Sequence, residues 1–198
     1  ALAFGDLADA HQRRDGPGRA PAAARTTPPA RALEPLSGVL WGIDWGARLP
    51  VTLAGEFVVE SSSFERAAPF VREHYAAIFE ESNDASPFST SRVNEAKARY
   101  YALAGDFFEF KKRDRTVGVL ICTPADWSSY YVRSAALLRE HQGSQVIQSF
   151  LTRVVFPALA SAGVERVELD ASPSNLAMMH IATRMRFNAT GTLLTDRW

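Results

Sequence analysis

Residues 137–151 read Leu137-Leu138-Arg139-Glu140-His141-Gln142-Gly143-Ser144-Gln145-Val146-Ile147-Gln148-Ser149-Phe150-Leu151. An apolar run ends here, a short polar turn follows around Gly143, and an amphipathic helix begins near Val146. The first N–H groups of a helix have no acceptor within the helix, and the helix dipole favours an anion beside them. The stretch therefore predicts either a phosphate-binding loop or an ordinary strand-to-helix turn.

The composition is that of a soluble globular protein, and we expect it to be cytoplasmic. The chain has 198 residues, of which 46% are hydrophobic and 22% charged, and its 22 basic residues balance its 22 acidic ones. This balance does not indicate a broad nucleic-acid-binding surface. The single cysteine, Cys122, lies in an apolar run and is expected to be a buried, inert thiol. No run is long enough for a membrane span, and the scattered histidines predict no metal site.

The chain divides into three parts by composition. Residues 1–36 are rich in Pro, Ala and Arg, which predicts a flexible or extended arm, and a homodimer contact is one role open to it. Residues 37–55 contain two tryptophans among glycines and predict an irregular segment that packs on the body. Residues 56–198 show regular periodicity and predict one α/β domain.

The order of elements in this domain predicts a mixed sheet with helices on both faces. Hairpin patterns in the first half imply antiparallel pairing, whereas helices between strands in the second half imply a parallel crossover. We expect strands at 56–60, 107–111, 116–122, 128–138, 164–170 and 187–195, and helices at 64–79, 92–104, from 146 onward, and from Asn175 to about Met185.

Two local patterns make the chain resemble the GNAT superfamily of acyl-CoA-dependent N-acyltransferases. The family loop reads Gln/Arg-x-x-Gly-x-Gly/Ala, and here Gln142-Gly143 keeps its first pair while Gln145 and Ile147 stand where glycines are common. The second family pattern is Asn-x-x-Ala-x-x-Leu-Tyr-x-Lys-x-Gly-Phe. The residues that match it are Asn175, Met178, Ile181, Ala182, Arg184, Arg186 and Phe187.

The resemblance implies a single GNAT-like domain whose sheet splays between its fourth and fifth strands, 128–138 and 164–170. The pantetheine arm of acetyl-CoA or another acyl-CoA would lie in that opening, pairing with the backbone of Leu137 and Leu138. The pyrophosphate would lie on the N–H groups at the start of the helix. The implied donor-binding residues are Leu137, Leu138, Gln142, Gly143, Ser144, Gln145, Val146, Ile147 and Asn175.

The family chemistry needs a base for the amine and an acid for the departing thiolate. A tyrosine often supplies that acid, but the aligned position here is Ala182. The remaining acids near the two strands are Asp126, Glu168 and Asp170, of which Asp126 and Glu168 are the predicted catalytic carboxylates. A salt bridge with Arg166 or Arg184 is the alternative for Glu168.

Three further side chains of the strand 128–138 complete the predicted site. Tyr131 is a predicted catalytic residue, and Tyr130 and Arg133 are predicted to bind the acceptor. Tyr130 and Tyr131 point to opposite faces, so one of them belongs to the core. Arg133 is expected to bind an acceptor carboxylate or to form a salt bridge.

The resemblance predicts an N-acyltransferase acting on a small-molecule amine, with no metal. One alternative is an enzyme of the same fold that takes longer acyl chains or chains bound to acyl carrier protein, since such a donor lacks the adenosine diphosphate. The other is a non-catalytic acyl-CoA-binding domain.

Overall fold

The computed structural model describes residues 35–80, 82–91, 93–171 and 175–191. The predicted arm, apart from its last two residues, and the end of the predicted final strand lie outside these ranges. All statements below concern the described residues.

The strands form one six-stranded sheet in the order β1-β2-β3-β4-β5-β6. Neighbouring strands are antiparallel except β5 and β6, which are parallel, so the predicted mixed sheet is confirmed. The strands are β1 (Val51–Leu53), β2 (Phe57–Ser62), β3 (Asp106–Lys112), β4 (Arg115–Pro124), β5 (Ser129–Leu137) and β6 (Arg166–Leu169).

The helices lie before, between and after the strands. The long helix after the turn of residues 142–145 is interrupted by a π turn, Leu151–Val155, in which the Phe156 N–H donates to the Leu151 carbonyl five residues earlier. This wider turn precedes Pro157, which has no N–H to continue an α-helical ladder. The helices are α1 (Leu36–Trp41), α2 (Trp45–Arg48), α3 (Phe64–Phe79), α4 (Glu95–Ala104), α5 (Val146–Phe150), α6 (Phe156–Ser161) and α7 (Leu176–Arg184).

Residues 37–55, expected to be irregular, instead form α1, α2 and β1. The Asp44 side chain caps α2 by accepting a hydrogen bond from the Ala47 N–H at 3.1 Å. The Trp45 ring is buried and packs edge-on against Phe108, with ring centroids 5.1 Å apart. Elements this short depend on tertiary burial, which sequence periodicity does not reveal.

Two other boundaries differ from the prediction. Helix α4 begins at Glu95 and not at 92, because the Asn94 side chain, rather than Ser89–Ser91, accepts the capping hydrogen bond from the Lys97 N–H at 2.8 Å. Residues 187–191, expected to begin the last strand, are not in a strand. The rest of that predicted strand lies outside the described residues.

Helices cover both faces of the sheet, as predicted. On the α5 face, which we define by Phe108, Phe110 and Leu120, the sheet packs against Phe150 of α5. On the α3 face, which we define by Phe107, Val119 and Ile121, it packs against α3 and α4. Cys122 is fully buried, as predicted, and burial raises the pKa of its thiol well above the ordinary value.

A β-bulge in β5 decides which of its side chains reach each face. Ile121 pairs with Ser134 and Cys122 pairs with Val132, which leaves Arg133 as the extra residue. Val132 belongs to the α5 face before the bulge, and Leu137 belongs to it after the bulge. Without the extra residue, strict alternation would place these two side chains on opposite faces.

The sheet opens between β5 and β6. Their pairing runs only from Ser129 opposite Arg166 to Val132 opposite Leu169. Strand β5 continues to Leu137, while β6 has ended. The second half of β5 therefore has a neighbour on one side only among the described strands. This is the splay that the resemblance implied.

Candidate functional site

A groove runs along the open half of β5. Its volume is about 640 Å³, and its walls come from β5, the loop of residues 142–145, α5, α7 and the end of α3. The α3 wall could not be predicted from the sequence, because no local pattern brings residues so far apart in sequence together. The residues that line the groove include Ile78, Phe79, Val132, Ala135, Leu137, Gln142, Gly143, Gln145, Val146, Ile147, Leu151, Asn175, Met178, Ile181 and Arg184.

The backbone of β5 offers hydrogen-bonding groups to this groove. The N–H of Leu138 donates to the Val117 carbonyl at 2.9 Å, so this peptide faces β4. Because successive residues of a strand direct their backbone groups to opposite sides, the groups of Leu137 and Ala135 face the opening. The Leu137 carbonyl accepts a hydrogen bond from Gln142 Nε2 at 3.0 Å. A ligand with amide groups can pair with such an edge as an added strand does.

Leu138 itself does not belong to the donor site, which corrects the prediction. Its side chain is buried in the core on the α5 face. Its N–H is bonded to Val117, and its carbonyl accepts from the His141 N–H at 2.9 Å. Both backbone groups are therefore used within the protein.

The loop before α5 contains two residues with left-handed backbone. Gly143 has φ +87° and Gln145 has φ +59°. This conformation is ordinary for glycine but costs about 1 kcal/mol for other residues. Gln145 thus adopts a backbone conformation that glycine adopts readily. A Cβ added at Gly143 would meet no protein atom within 4 Å, so the space above it is open.

The start of α5 has the properties of a phosphate site. The first helical hydrogen bond, from the Ser149 N–H to the Gln145 carbonyl at 2.8 Å, leaves the N–H groups of Val146 and Ile147 without acceptors in the helix. The hydroxyl of Ser144 is buried and has no partner among the described residues. A phosphate oxygen is a suitable acceptor for the N–H groups of Val146 and Ile147, which line the groove and fit the pyrophosphate of CoA, whereas Ser144 is not among the lining residues.

Helix α7 forms the wall opposite β5. The Asn175 side chain caps it by accepting from the Met178 N–H at 3.0 Å, so the expected cap is present. Asn175 also lines the groove, as its predicted role in donor binding requires, but its side-chain oxygen is already bonded. Met178 and Ile181 make this wall apolar.

Tyr131 and Asp170 lie together where β5 and β6 part. The Tyr131 hydroxyl donates a hydrogen bond to Asp170 Oδ2 at 2.7 Å. Burial, and then this hydrogen bond, raise the pKa of Tyr131 to about 12. The phenol therefore holds its proton at neutral pH, and the same shift makes it a weaker acid than an ordinary tyrosine. The sequence places three acids near the two strands, and only the structure shows that Asp170 is the one that contacts the Tyr131 hydroxyl.

Arg133 extends from the bulge beside Tyr131. Its guanidinium carbon lies 5.3 Å from the centroid of the Tyr131 ring and 5.9 Å from that of the Tyr101 ring. Both distances are within the range of a cation–π contact. Arg133 forms no salt bridge with a described residue. The salt bridge that was predicted as its alternative role is therefore absent among these residues.

Tyr130, predicted to bind the acceptor, is a core residue. It is 0% exposed, and its hydroxyl donates to Asp106 Oδ2 at 2.7 Å. Asp106 also accepts from the Ser37 hydroxyl at 2.6 Å. Burial raises the pKa of Asp106 above its ordinary value, and the two hydrogen bonds oppose this rise. Tyr130 thus belongs to a buried polar network and has no surface to offer a substrate.

Asp126 lies at the wrong end of β5 for catalysis in the groove. It precedes the start of β5, whereas the opening lies near the end of that strand. Its carboxylate accepts from the Ser128 N–H at 2.7 Å, and this hydrogen bond lowers its pKa. A carboxylate with a lowered pKa is a poorer base. The predicted catalytic role of Asp126 is therefore not supported.

Glu168 forms the salt bridge with Arg166 that was predicted as the alternative to a catalytic role. Its Oε1 lies 3.6 Å from Arg166 Nε, and about half of its side chain is exposed. Glu168 is opposite Tyr131 in the β5–β6 register, so it lies beside the Tyr131–Asp170 pair. The Tyr131 hydroxyl donates its hydrogen bond to Asp170 and not to Glu168. Asp170 is the better placed of the two carboxylates.

The described residues hold no group of three or more His, Cys, Asp or Glu side chains suited to a metal ion. None of their helices combines the length and apolar character needed to cross a membrane.

Comparison with solved structures finds the same fold in acetyltransferases. An aminoglycoside acetyltransferase from an uncultured soil metagenomic sample, in complex with sisomicin, matches with a TM-score of 0.56 at 15% identity, over 74% of this chain and 98% of that one. Aminoglycoside N-acetyltransferase AAC(6')-Iy in complex with CoA matches at 0.53 and 12% identity, over 72% and 94%. A transcriptional regulator from Bacillus halodurans C-125 matches at 0.55 and 12% identity, over 72% and 99%.

No family model and no curated protein sequence matches the chain. At these identities the structural likeness establishes the fold and not the substrate. The chain has the GNAT fold, as its element order and two motifs predicted.

Proposed function

We propose that the protein is an N-acyltransferase that moves an acyl group from an acyl-CoA to a small-molecule amine. The observation behind this proposal is the open half of β5, along which the groove runs from the start of α5 to Val132, the chain neighbour of Tyr131. From Leu137 to Val132 the strand spans about 16 Å, a length suited to an extended ligand lying along it.

The loop and the strand would hold the donor. The N–H groups of Val146 and Ile147 face the pyrophosphate, and the groups of Leu137 and Ala135 pair with the amides of the pantetheine arm. Gln142 must release the Leu137 carbonyl for that pairing. The thioester then lies near Val132, where β6 closes the opening.

The Tyr131–Asp170 pair would handle the protons. As the amine nitrogen bonds to the thioester carbon, Asp170 accepts a proton from the nitrogen. Tyr131 gives its proton to the departing sulfur and regains one from Asp170 through their hydrogen bond. A backbone N–H of β5 on the open side stabilises the carbonyl oxygen as it gains charge.

Calorimetry with CoA and a thiol-release assay with acetyl-CoA and a panel of amines test this function. We expect CoA to bind, amine-dependent thiol release, and loss of CoA binding in Gly143→Glu, which places a carboxylate in the open space above the loop. Absence of CoA binding would refute the donor site. Binding without thiol release for any amine would favour a non-catalytic acyl-CoA-binding domain.

A second candidate is an enzyme that takes longer acyl chains, including chains on acyl carrier protein. The apolar lining by Phe79, Leu151 and Met178 favours it, as do Gln145 and Ile147 in place of loop glycines. Comparing kcat/KM for acyl-CoA and the matching acyl-phosphopantetheine separates the two. A carrier-protein enzyme loses little rate without the adenosine diphosphate, whereas a CoA enzyme loses most of it.

A further inference from the structure

Among the described residues, Arg133 contacts aromatic rings and forms no ion pair with an acid. In the described part of the chain, Arg66, Arg139 and Arg166 each pair with a carboxylate, to Glu109, Glu80 and Asp126 respectively. Arg133 lies instead against two tyrosine rings from different elements, Tyr131 of β5 and Tyr101 of α4. Its hydrogen-bond donors are therefore available to a ligand while its position is restrained.

The bulge lies beside a residue that lines the groove, Val132. Arg133 is the extra residue of β5, next to Val132, where the β5–β6 pairing ends. A bulge beside a site re-aims the side chain that it carries. At the hydroxyl of the same tyrosine, Asp170 accepts the hydrogen bond that Tyr131 donates. One positive and one negative group thus flank a single phenol.

This pair of charges is complementary to a molecule with both an amine and a carboxylate. A guanidinium binds a carboxylate through two parallel hydrogen bonds, which fixes orientation as well as position. Asp170 would then face the amine that is to be acylated. A polycationic acceptor would meet the like charge of Arg133, which disfavours it.

We propose that the acceptor is an amino-acid-like molecule whose carboxylate binds Arg133 while its amine faces Tyr131 and Asp170. This inference rests on the proposed acyltransferase function and specifies its acceptor. The reaction forms an N–C bond to the acyl carbon and breaks the C–S bond of the thioester. The amine proton passes to Asp170, and the sulfur leaves as a thiol with the proton of Tyr131. The products are an N-acyl amino acid and CoA.

The test compares matched acceptors with the full chain and acetyl-CoA. Each amino acid is assayed beside the amine that lacks its carboxylate, its aminophosphonate analogue, and an aminoglycoside. We expect kcat/KM for the amino acid to exceed that for the matched amine by about tenfold or more, as loss of a charged hydrogen-bonded partner implies. A higher value for the plain amine, the phosphonate or the aminoglycoside would overturn the assignment.

Substitutions of Arg133 test whether the preference for a carboxylate depends on this side chain. In Arg133→Met we expect the KM for the amino acid to rise about tenfold or more, with little change for the plain amine or in the Kd for CoA. Arg133→Lys should recover part of the loss, because it restores charge without the planar fork. Arg153→Met, an exposed arginine on the π turn, is the matched control and should behave as the unaltered protein.

The outcomes separate this inference from the proposed function. Transfer to amines without dependence on a carboxylate, or an equal loss for both acceptor types in Arg133→Met, would overturn the inference alone. No transfer to any amine would overturn both. Thermal unfolding of each variant identifies a folding defect, and the acceptor preference of the unaltered protein tests the inference without any variant.

Discussion

The hydrogen-bond partners of Tyr130, Tyr131 and Gln142 determine what each of these side chains can do. The Tyr131 hydroxyl keeps its proton because burial and the hydrogen bond to Asp170 raise its pKa, whereas the hydroxyl of the adjacent Tyr130 is bonded to Asp106 within the core. Gln142 shows the same dependence. Its side-chain amide occupies the Leu137 carbonyl that a donor amide would need.

The pKa of Tyr131 predicts the alkaline side of the pH profile. Its pKa is raised from 10 to about 12, so the phenol is protonated below pH 11 and is lost as a donor only above that range. We expect kcat to show no fall between pH 8 and pH 10 that is due to Tyr131. Tyr131→Phe should lower kcat by about 10²–10⁴-fold across the whole range.

Steady-state rates from pH 6 to pH 10 check this expectation. A descending limb near pH 10 that disappears in Tyr131→Phe would show that Tyr131 titrates at its ordinary pKa. An unchanged kcat in the variant would remove Tyr131 from the chemistry.

Removing the Gln142 side chain should free the edge of β5. In Gln142→Ala the Leu137 carbonyl loses its internal donor, so a pantetheine amide no longer competes for it. One hydrogen bond is worth about 0.5–1.5 kcal/mol net, so the Kd for pantetheine should fall by roughly 2- to 10-fold. Calorimetry with pantetheine, which has no phosphate, measures binding to the β5 edge without a contribution from the loop. Equal or weaker binding in the variant would show that the contact does not restrain the groove.

At the scale of elements, the loop and α5 together form the proposed anion site. Two residues with left-handed backbone, Gly143 and Gln145, precede the helix, and its first residues, Val146 and Ile147, line the groove. On the other side of β5, Gly118 permits the close approach of β4. A Cβ there would lie 2.6 Å from Leu137 Cδ1 and 2.8 Å from the Ala136 carbonyl oxygen.

Gly143 and Gly163 allow a matched comparison of backbone strain and ligand binding. Both have positive φ, +87° and +82°, and a Cβ at either would meet no atom within 4 Å. Alanine at each should cost about 1–2 kcal/mol of stability. Only Gly143→Ala should also weaken CoA binding, because its methyl group projects where the pyrophosphate approaches. Urea unfolding and CoA titration of both variants measure the two effects, and equal CoA affinities would place the phosphate elsewhere.

At the scale of the whole molecule, the sheet is closed at one end of β5 and open at the other. Helices on both faces bury the closed part, and the groove passes between the end of α3 and α7 at the open part. A ligand that contacts β5, the loop and α7 together would link these three walls of the groove. Donor binding should therefore stabilise the entire domain.

The thermal shift with acetyl-CoA measures this stabilisation. At a concentration about 100 times its Kd, a ligand that binds only the native state adds about 2.7 kcal/mol. For a domain of this size that corresponds to a rise in Tm of about 5–10 °C. We expect this rise in the unaltered protein and none in Gly143→Glu. A comparable rise in Gly143→Glu would mean that acetyl-CoA binds outside the groove.

Several features could be predicted from the sequence because their causes lie within a few residues. Apolar spacing placed α3 and the helix that starts at Val146, the hairpin pattern placed β3 and β4, and Asn175 marked the cap of α7. The two motifs located the loop residues Gln142–Ile147, most of which line the groove.

The sequence by itself determined the order of elements, the mixed sheet and the position of the loop, because periodicity and capping are local properties of the chain. Only the tertiary structure decided that β1 joins the sheet, that Arg133 is a bulge residue and that Tyr131 meets Asp170. These depend on pairing register and packing between residues far apart in sequence, where a shift of one residue reverses every side chain. For that reason Asp126 and Tyr130 looked functional in the sequence, whereas in the structure Asp126 precedes the start of β5 and Tyr130 is buried in the core.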